Sequence, residues 1–122
     1  MARSHPVRWT MLFFLTLTCS TPIHAQRRIS AQDAKNYVGE NATVCGTVAS
    51  EHFAANTKGQ PTFINLDEPY PRQIFTIVIW GSDRSAFGKI PAKLCVTGTI
   101  SSYRGVPEII ARNAGQIRPR SD

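Results

Sequence analysis

The chain has 122 residues, of which 14 are Lys or Arg and 8 are Asp or Glu, so its formal net charge is +6. This length suits one domain of ordinary size and excludes two. The positive charge suggests a partner rich in phosphate, a suggestion that depends on where the charges lie.

The first 25 residues have the three parts of a secretory signal peptide. Arg3 and Arg8 precede an apolar run, Met11 to Leu17, and a small residue, Ala25, follows at the expected cleavage position. The run is much shorter than the roughly 20 residues of a membrane span. We therefore expect cleavage after Ala25 and a periplasmic or secreted product. Two alternatives stay open, an uncut anchor and lipidation at Cys19.

Cleavage would also remove part of the positive charge. The predicted signal peptide holds two basic residues and no acidic one, and two arginines lie at each end of the mature chain. The region from Ser30 to Ile117 has eight basic and seven acidic residues and is nearly neutral. Nucleic-acid-binding domains usually carry a strong basic stripe. The nearly neutral composition is therefore an argument against nucleic-acid binding, although a basic tail at 118–122 can still follow a phosphate backbone.

A short helix is predicted first in the mature chain. Ser30 can cap it, and Asp33 suits the positive end of the helix dipole. Small and apolar residues recur at helical spacing up to Val38, and Gly39 is a natural stop. About two turns of helix are expected before the first strand.

Five short strands are predicted after the helix, separated by turn residues. Their expected bounds are 43–48, 61–66, 75–80, 94–100 and 107–111. The third strand is apolar at nearly every position, which indicates a central place. Residues 81–91 form a connector with one possible helical turn at 85–87. There is no internal repeat and no low-complexity tract, so we predict an all-β fold, a small sandwich or barrel.

Cys45 and Cys95 are the two cysteines left after cleavage. An even pair in a small exported domain is most simply a disulfide, and two unpaired buried thiols are the alternative. In both strands the cysteine lies on the face opposite the valines and the inward glycine, Gly46 or Gly98. The two thiols can join if the first and fourth strands are neighbours. A five-stranded Greek-key barrel of the OB type provides that pairing.

The segment from about Tyr37 to Ile117 resembles exported bacterial OB-fold proteins related to tRNA-anticodon-type nucleic-acid-binding domains. The resemblance rests on YVGENATVCGTV, PTFINLDEPYP, FTIVIWG and CVTGTISSYRGVPEII followed by GQI. It implies an OB-fold domain at residues 30–117. It implies little about the ligand, since this superfold binds DNA, RNA, sugars and proteins.

The sequence gives little support for catalysis. His52 is the single histidine after cleavage and is expected in a loop, and no cysteine spacing suits zinc. Exported nucleases need clustered carboxylates for a metal. Asp67 and Glu68 are adjacent, but they are expected in a proline-rich turn. We predict no enzyme activity, no metal and no cofactor.

Binding is the better expectation. OB barrels bind through the second and third strands together with the first–second and fourth–fifth loops. The candidate ligand-binding residues in those regions are aromatic, basic or amide side chains: Phe53, Lys58, Phe63, Asn65, Tyr70, Arg72, Tyr103 and Arg104. Phe63 can equally belong to the core and Tyr70 can simply stiffen its turn. The Tyr103-Arg104 turn is the best single candidate.

Two functions follow from these residues. The first is an exported module that binds single-stranded nucleic acid, because aromatic rings with nearby cations suit stacked bases. The alternative is an envelope module that binds protein, peptide or saccharide, which fits the nearly neutral domain.

Overall fold

The computed structural model describes residues 3–6, 10–20 and 27–121. The predicted cleavage site after Ala25 lies outside these residues. The apolar run from Met11 to Leu17 is exposed and has no regular secondary structure. No helix in the described ranges reaches the length and apolar character needed to cross a bilayer.

Seven strands are present within residues 27–121. They are β1 (Arg28–Ser30), β2 (Asn41–Phe53), β3 (Thr62–Leu66), β4 (Thr76–Ile79), β5 (Lys93–Tyr103), β6 (Val106–Ile110) and β7 (Ile117–Pro119). Three single turns of 3-10 helix, Ala34–Asn36, Arg84–Ala86 and Ala114–Gln116, lie between them. The five predicted strands correspond to β2 to β6, and the two three-residue strands were not predicted.

Five of the strands close into a barrel in the order β2, β3, β4, β6, β5 and back to β2. All pairings in this ring are antiparallel except that of β4 with β6. Closure is possible because β2 and β5 are long. The first half of each pairs with the other, and the second halves pair with β3 and β6. β1 and β7 extend the β2–β5 ladder on either side.

The barrel is filled by the inward residues of its strands. Large side chains that are fully buried include Phe75, Ile64, Ile77, Ile100 and Ile109. Their spacing of two along each strand is the alternation that the sequence predicted. β4 is buried at all four positions and lies between β3 and β6, which confirms its predicted central place.

The predicted N-terminal helix is wrong. Ser30 ends β1, and only one 3-10 turn, Ala34–Asn36, follows. The Asp33 amide does donate to Ser30 Oγ at 3.1 Å, so the capping contact forms without a helix behind it. Residues 31–33 form a turn where the first helical turn was expected, and Ala31 and Ala34 are buried against the core.

The predicted disulfide is confirmed. Cys45 and Cys95 stand directly opposite each other on β2 and β5, and their Sγ atoms are bonded. The inward glycine of β5 is also explained, since a Cβ at Gly98 would lie 2.8 Å from Ile109 Cγ2. A side chain at this position would displace a buried core residue.

One side chain, that of Gln116, connects the turn before β7 to β5 and to the end of β6. Gln116 Nε2 donates to the Thr97 carbonyl at 3.0 Å, and Gln116 Oε1 accepts from the Arg112 amide at 2.7 Å. These contacts fix the turn between β6 and β7. As a result Ile117 pairs with Val96 and Arg118 with Cys95.

Candidate functional site

The outward side of β2, β3, β4 and β6 is called the outer face below. Opposite residues in a ladder share a side of the sheet. One outward row therefore consists of successive ladder partners, namely His52, Phe63, Val78 and Ile110. Phe63 is half-buried and His52 is exposed, while Val78 between its neighbours is 3% exposed. Phe63 thus belongs to a surface and not to the barrel core.

A second outward row contains a chain of hydrogen bonds. Thr76 Oγ1 donates to Asn65 Oδ1 at 2.7 Å, and Asn65 Nδ2 donates to Ser50 Oγ at 3.0 Å. Ser50 Oγ also accepts from the Tyr70 amide at 3.2 Å. The chain ties the β3–β4 loop to the outer face. Asn65 was predicted to contact ligand, but it is 4% exposed and its amide is used in this chain. Asn65 connects Thr76 to Ser50, and Ser50 in turn contacts the backbone of Tyr70.

Tyr70 and Tyr103 are the two exposed tyrosines of this region, at 73% and 59% exposure. Tyr103 pairs with Val106 and shares the outward side of β5 with Ser101. The β5–β6 turn lies at the same end of the barrel as the β3–β4 loop, because β4 and β6 are parallel and both begin there. The structure therefore places both tyrosines at one end of the outer face.

Two arginines lie at the same end. Arg72 is exposed in the β3–β4 loop. Arg104 is exposed in the β5–β6 turn, with its Cζ 5.3 Å from the centre of the Tyr103 ring. That distance is within the range of a cation–π contact. The positive φ of Arg104, 51°, belongs to the tight turn that presents both side chains.

Phe53 does not share the surface of Phe63. The β2 strand has a bulge between Val48 and Ser50, which inserts one residue and reverses the alternation after it. Phe53 is the ladder partner of Thr62, whose side chain points into the barrel. Phe53 is therefore on the inward side of β2, beyond the covered core, and is 54% exposed. The structure therefore does not bring these two candidate residues, Phe53 and Phe63, together on one surface.

Lys58 is exposed in the β2–β3 loop, at the end of the barrel opposite the two tyrosines. Trp80 is at that end too, where a Cβ on Gly59 would lie 3.0 Å from its ring. The Trp80 side chain is 37% exposed.

Glu108 was missed as a residue of the outer face. It pairs with Thr76 on one side and Ser101 on the other. Partial burial raises the pKa of the Glu108 carboxyl above its usual value, because burial disfavours the charged form. A carboxylate in the middle of this surface opposes the arginines at its end.

The raised pKa of Glu108 predicts that the stability of the fold depends on pH. The pKa of Glu108 is raised in the folded state, so the free energy of unfolding falls as pH rises through that pKa. Below the pKa of the unfolded state the carboxyl is protonated in both states, and this loss of stability disappears. Glu108→Gln should therefore be more stable than the wild type at neutral pH and equal to it in acid. Urea unfolding at several pH values measures the difference. A constant difference across the whole range would contradict the assignment, and Glu40→Gln on the surface is the control.

The carboxylate of Asp67, one of the two considered for a metal, is used within the fold. Asp67 Oδ1 accepts from the Thr47 amide at 2.8 Å, and the Asp67 amide donates to the Thr47 carbonyl at 2.7 Å. Asp67 thus anchors the turn after β3. Within the described residues no group of three or more His, Cys, Asp or Glu is placed to hold a metal ion.

No protein-family model matches the chain, and no curated protein sequence matches it. Among solved structures, the crystal structure described as that of an aspartyl-tRNA synthetase from Leishmania major Friedlin is similar, with a TM-score of 0.50 and 12% identity. The match covers 77% of this chain and 21% of that one. The chain therefore spans about a fifth of that protein, and the likeness is one of fold.

Proposed function

We propose that the protein is an exported, non-enzymatic OB-type module that binds single-stranded nucleic acid across the outer face. The observation that carries this proposal is the pair of exposed tyrosines, Tyr70 and Tyr103, at one end of that face. Bases stack on such rings with about 1–3 kcal/mol each, whatever their sequence. Arg72 and Arg104 beside them suit the phosphates.

The barrel supports the OB-type assignment. Numbered within the barrel, the strands neighbour one another in the order first, second, third, fifth, fourth and first again. A five-stranded Greek-key barrel of the OB type binds oligonucleotides on its second and third strands and adjoining loops. Here these are β3 and β4 with the β2–β3 and β5–β6 connections. The synthetase that resembles this chain acts, by its name, on a tRNA.

Export is part of the proposal. The pattern of residues 1–25 and the Cys45–Cys95 disulfide support it, since disulfides persist in oxidising compartments. The intact mass of the protein recovered from a bacterial periplasm should correspond to a chain beginning at Gln26. A cytoplasmic protein beginning at Met1 would overturn this part.

Fluorescence anisotropy with a labelled single-stranded oligonucleotide tests the binding. We expect affinity in the micromolar range. If the three basic groups Lys58, Arg72 and Arg104 engage phosphates, the logarithm of the association constant should fall with a slope of about −2 against the logarithm of salt concentration. Double-stranded DNA of the same sequence is the control. Absence of salt-sensitive binding at micromolar protein would overturn the proposal.

A second function has its own observation. Glu108 places a carboxylate on the outer face, and the region from Ser30 to Ile117 is nearly neutral. Both suit a protein, peptide or saccharide better than a polyanion. Sugars also stack on tyrosine rings, so Tyr70 and Tyr103 would serve either ligand. Binding on a glycan array, without binding of oligonucleotides, would favour this alternative.

A further inference from the structure

A cavity of about 320 Å³ lies on the outward side of the β1–β2–β5–β7 ladder, away from the outer face. Its lining includes Cys95 of the disulfide, together with Thr43 and Thr97. The chain from Arg118 to Ser121 and one arginine of β1, Arg28, form the rest of the lining, so three arginines are part of it. We call it the disulfide-side cavity.

The ladder register explains why these side chains converge. Thr43 pairs with Thr97, and its other neighbour in the sheet is Arg28. In the adjacent row Cys45 pairs with Cys95, whose other neighbour is Arg118. Ladder partners share a side of the sheet, and Val44 and Val96 occupy the inward side. Arg28 and Arg118 must therefore project to the same side as the disulfide and the threonines.

The threonines provide a donor between the arginines. Their Oγ1 atoms are 2.7 Å apart and share one hydrogen bond. Each hydroxyl has one hydrogen, so the shared bond uses one of the two. The second can be donated to a ligand in the cavity. Thr43 is buried, with 9% exposure, so its neighbours restrict the movement of this pair.

The chemistry of the lining selects an anion. Guanidinium groups match the geometry of phosphate oxygens and bind them with two parallel hydrogen bonds. Among the described residues that line the cavity, none is Asp or Glu. A tetrahedral oxyanion suits this lining, because the described residues offer hydroxyl donors and guanidinium groups and no carboxylate.

We propose that the disulfide-side cavity binds a phosphate group, held by Arg28 and Arg118 with the Thr43–Thr97 pair as an added donor. The ligand is inorganic phosphate or the terminal phosphate of a phosphate monoester. None of these residues belongs to the outer face, so the site is independent of oligonucleotide binding through Tyr70 and Tyr103. β1 and β7 acquire a role here, since they bring the arginines to the two sides of one surface.

Titration of the ¹⁵N-labelled mature protein with inorganic phosphate tests the site by NMR. Saturable shifts are expected at the amides of Arg28, Thr43, Thr97 and Arg118. Sodium chloride at matched ionic strength should give none. In parallel, a 5′-phosphorylated oligonucleotide is compared with its 5′-hydroxyl form. Saturation by inorganic phosphate supports free phosphate as ligand, and saturation by the phosphorylated end alone supports a monoester.

The variants Arg28→Gln and Arg118→Gln should each weaken phosphate binding about tenfold, because each removes a charge-assisted contact. Arg112→Gln, at an exposed arginine that does not line the cavity, is the matched control and should bind phosphate normally. Thr97→Val keeps the shape of the strand and should weaken binding several-fold. Shifts that chloride reproduces, that fail to saturate at millimolar phosphate, or that cluster on the outer face would overturn the proposal.

Discussion

Replacing Cys45 and Cys95 together with alanine should lower the free energy of unfolding by about 4 kcal/mol. The bond joins residues 50 positions apart. In the chain-entropy account, cross-linking a loop of this length removes that much conformational freedom from the unfolded chain. A domain of this size buries a modest core, so a covalent cross-link contributes a large share of its stability. The loss is therefore a large part of the stability expected for the whole domain.

Urea unfolding of the mature protein measures this loss. The wild type should be compared before and after reduction, because the reduced protein and the alanine pair lack the same constraint. Their midpoints should agree with each other and lie well below that of the oxidised protein. Equal midpoints for the oxidised and reduced wild type would show that the bond does not stabilise the barrel. Thr47→Ala, exposed on β2, is a control for substitution in the same strand.

The second large effect concerns the exposed tyrosines. Tyr70→Ala combined with Tyr103→Ala should weaken binding of a single-stranded oligonucleotide by about 2–4 kcal/mol, which is roughly thirtyfold to a thousandfold. Each ring is more than half exposed, so its removal leaves no cavity in the core. The double variant should unfold at the same urea concentration as the wild type. The loss would then be one of binding and not of folding.

Fluorescence anisotropy at low salt gives this comparison directly. Tyr37→Ala is not a suitable control, because Tyr37 packs against the core. Phe53→Ala is suitable, because Phe53 is a 54% exposed aromatic residue on the other side of its strand. It should bind the oligonucleotide with nearly normal affinity. Equal affinity of the tyrosine double variant and the wild type would remove the outer face from the proposed function.

Asn65 belongs to a chain of hydrogen bonds beneath the same surface. Its amide bridges Thr76 and Ser50, and Ser50 in turn accepts from the Tyr70 amide. The position of the β3–β4 loop therefore depends on a buried polar chain beneath it. Such chains are costly to break, since each remaining partner is left without its hydrogen bond. Asn65, which the sequence offered as a ligand contact, is thus found beneath this loop and not at the surface.

The alternation of apolar residues determined much of the fold from sequence alone. Val44 and Val96 fixed which sides of β2 and β5 are inward, and the two cysteines then had to share the outward side. The two cysteines could therefore form a disulfide if the first and fourth barrel strands were neighbours, and the structure confirms both the pairing and the bond. The inward and outward sides could be predicted because a period of two is a local property that nearby residues impose.

The tertiary structure alone decided the remainder. β1 and β7 are three residues long, too short to show a period, and they exist because β2 and β5 offer them ladder edges. The side of β2 on which Phe53 lies could not be predicted, because the bulge before Ser50 reverses every later side chain of the strand. Arg28 and Arg118 are 90 positions apart in sequence. Only the pairing of their strands with β2 and β5 brings them to one cavity, because contacts between distant segments are set by the ladder and not by local sequence.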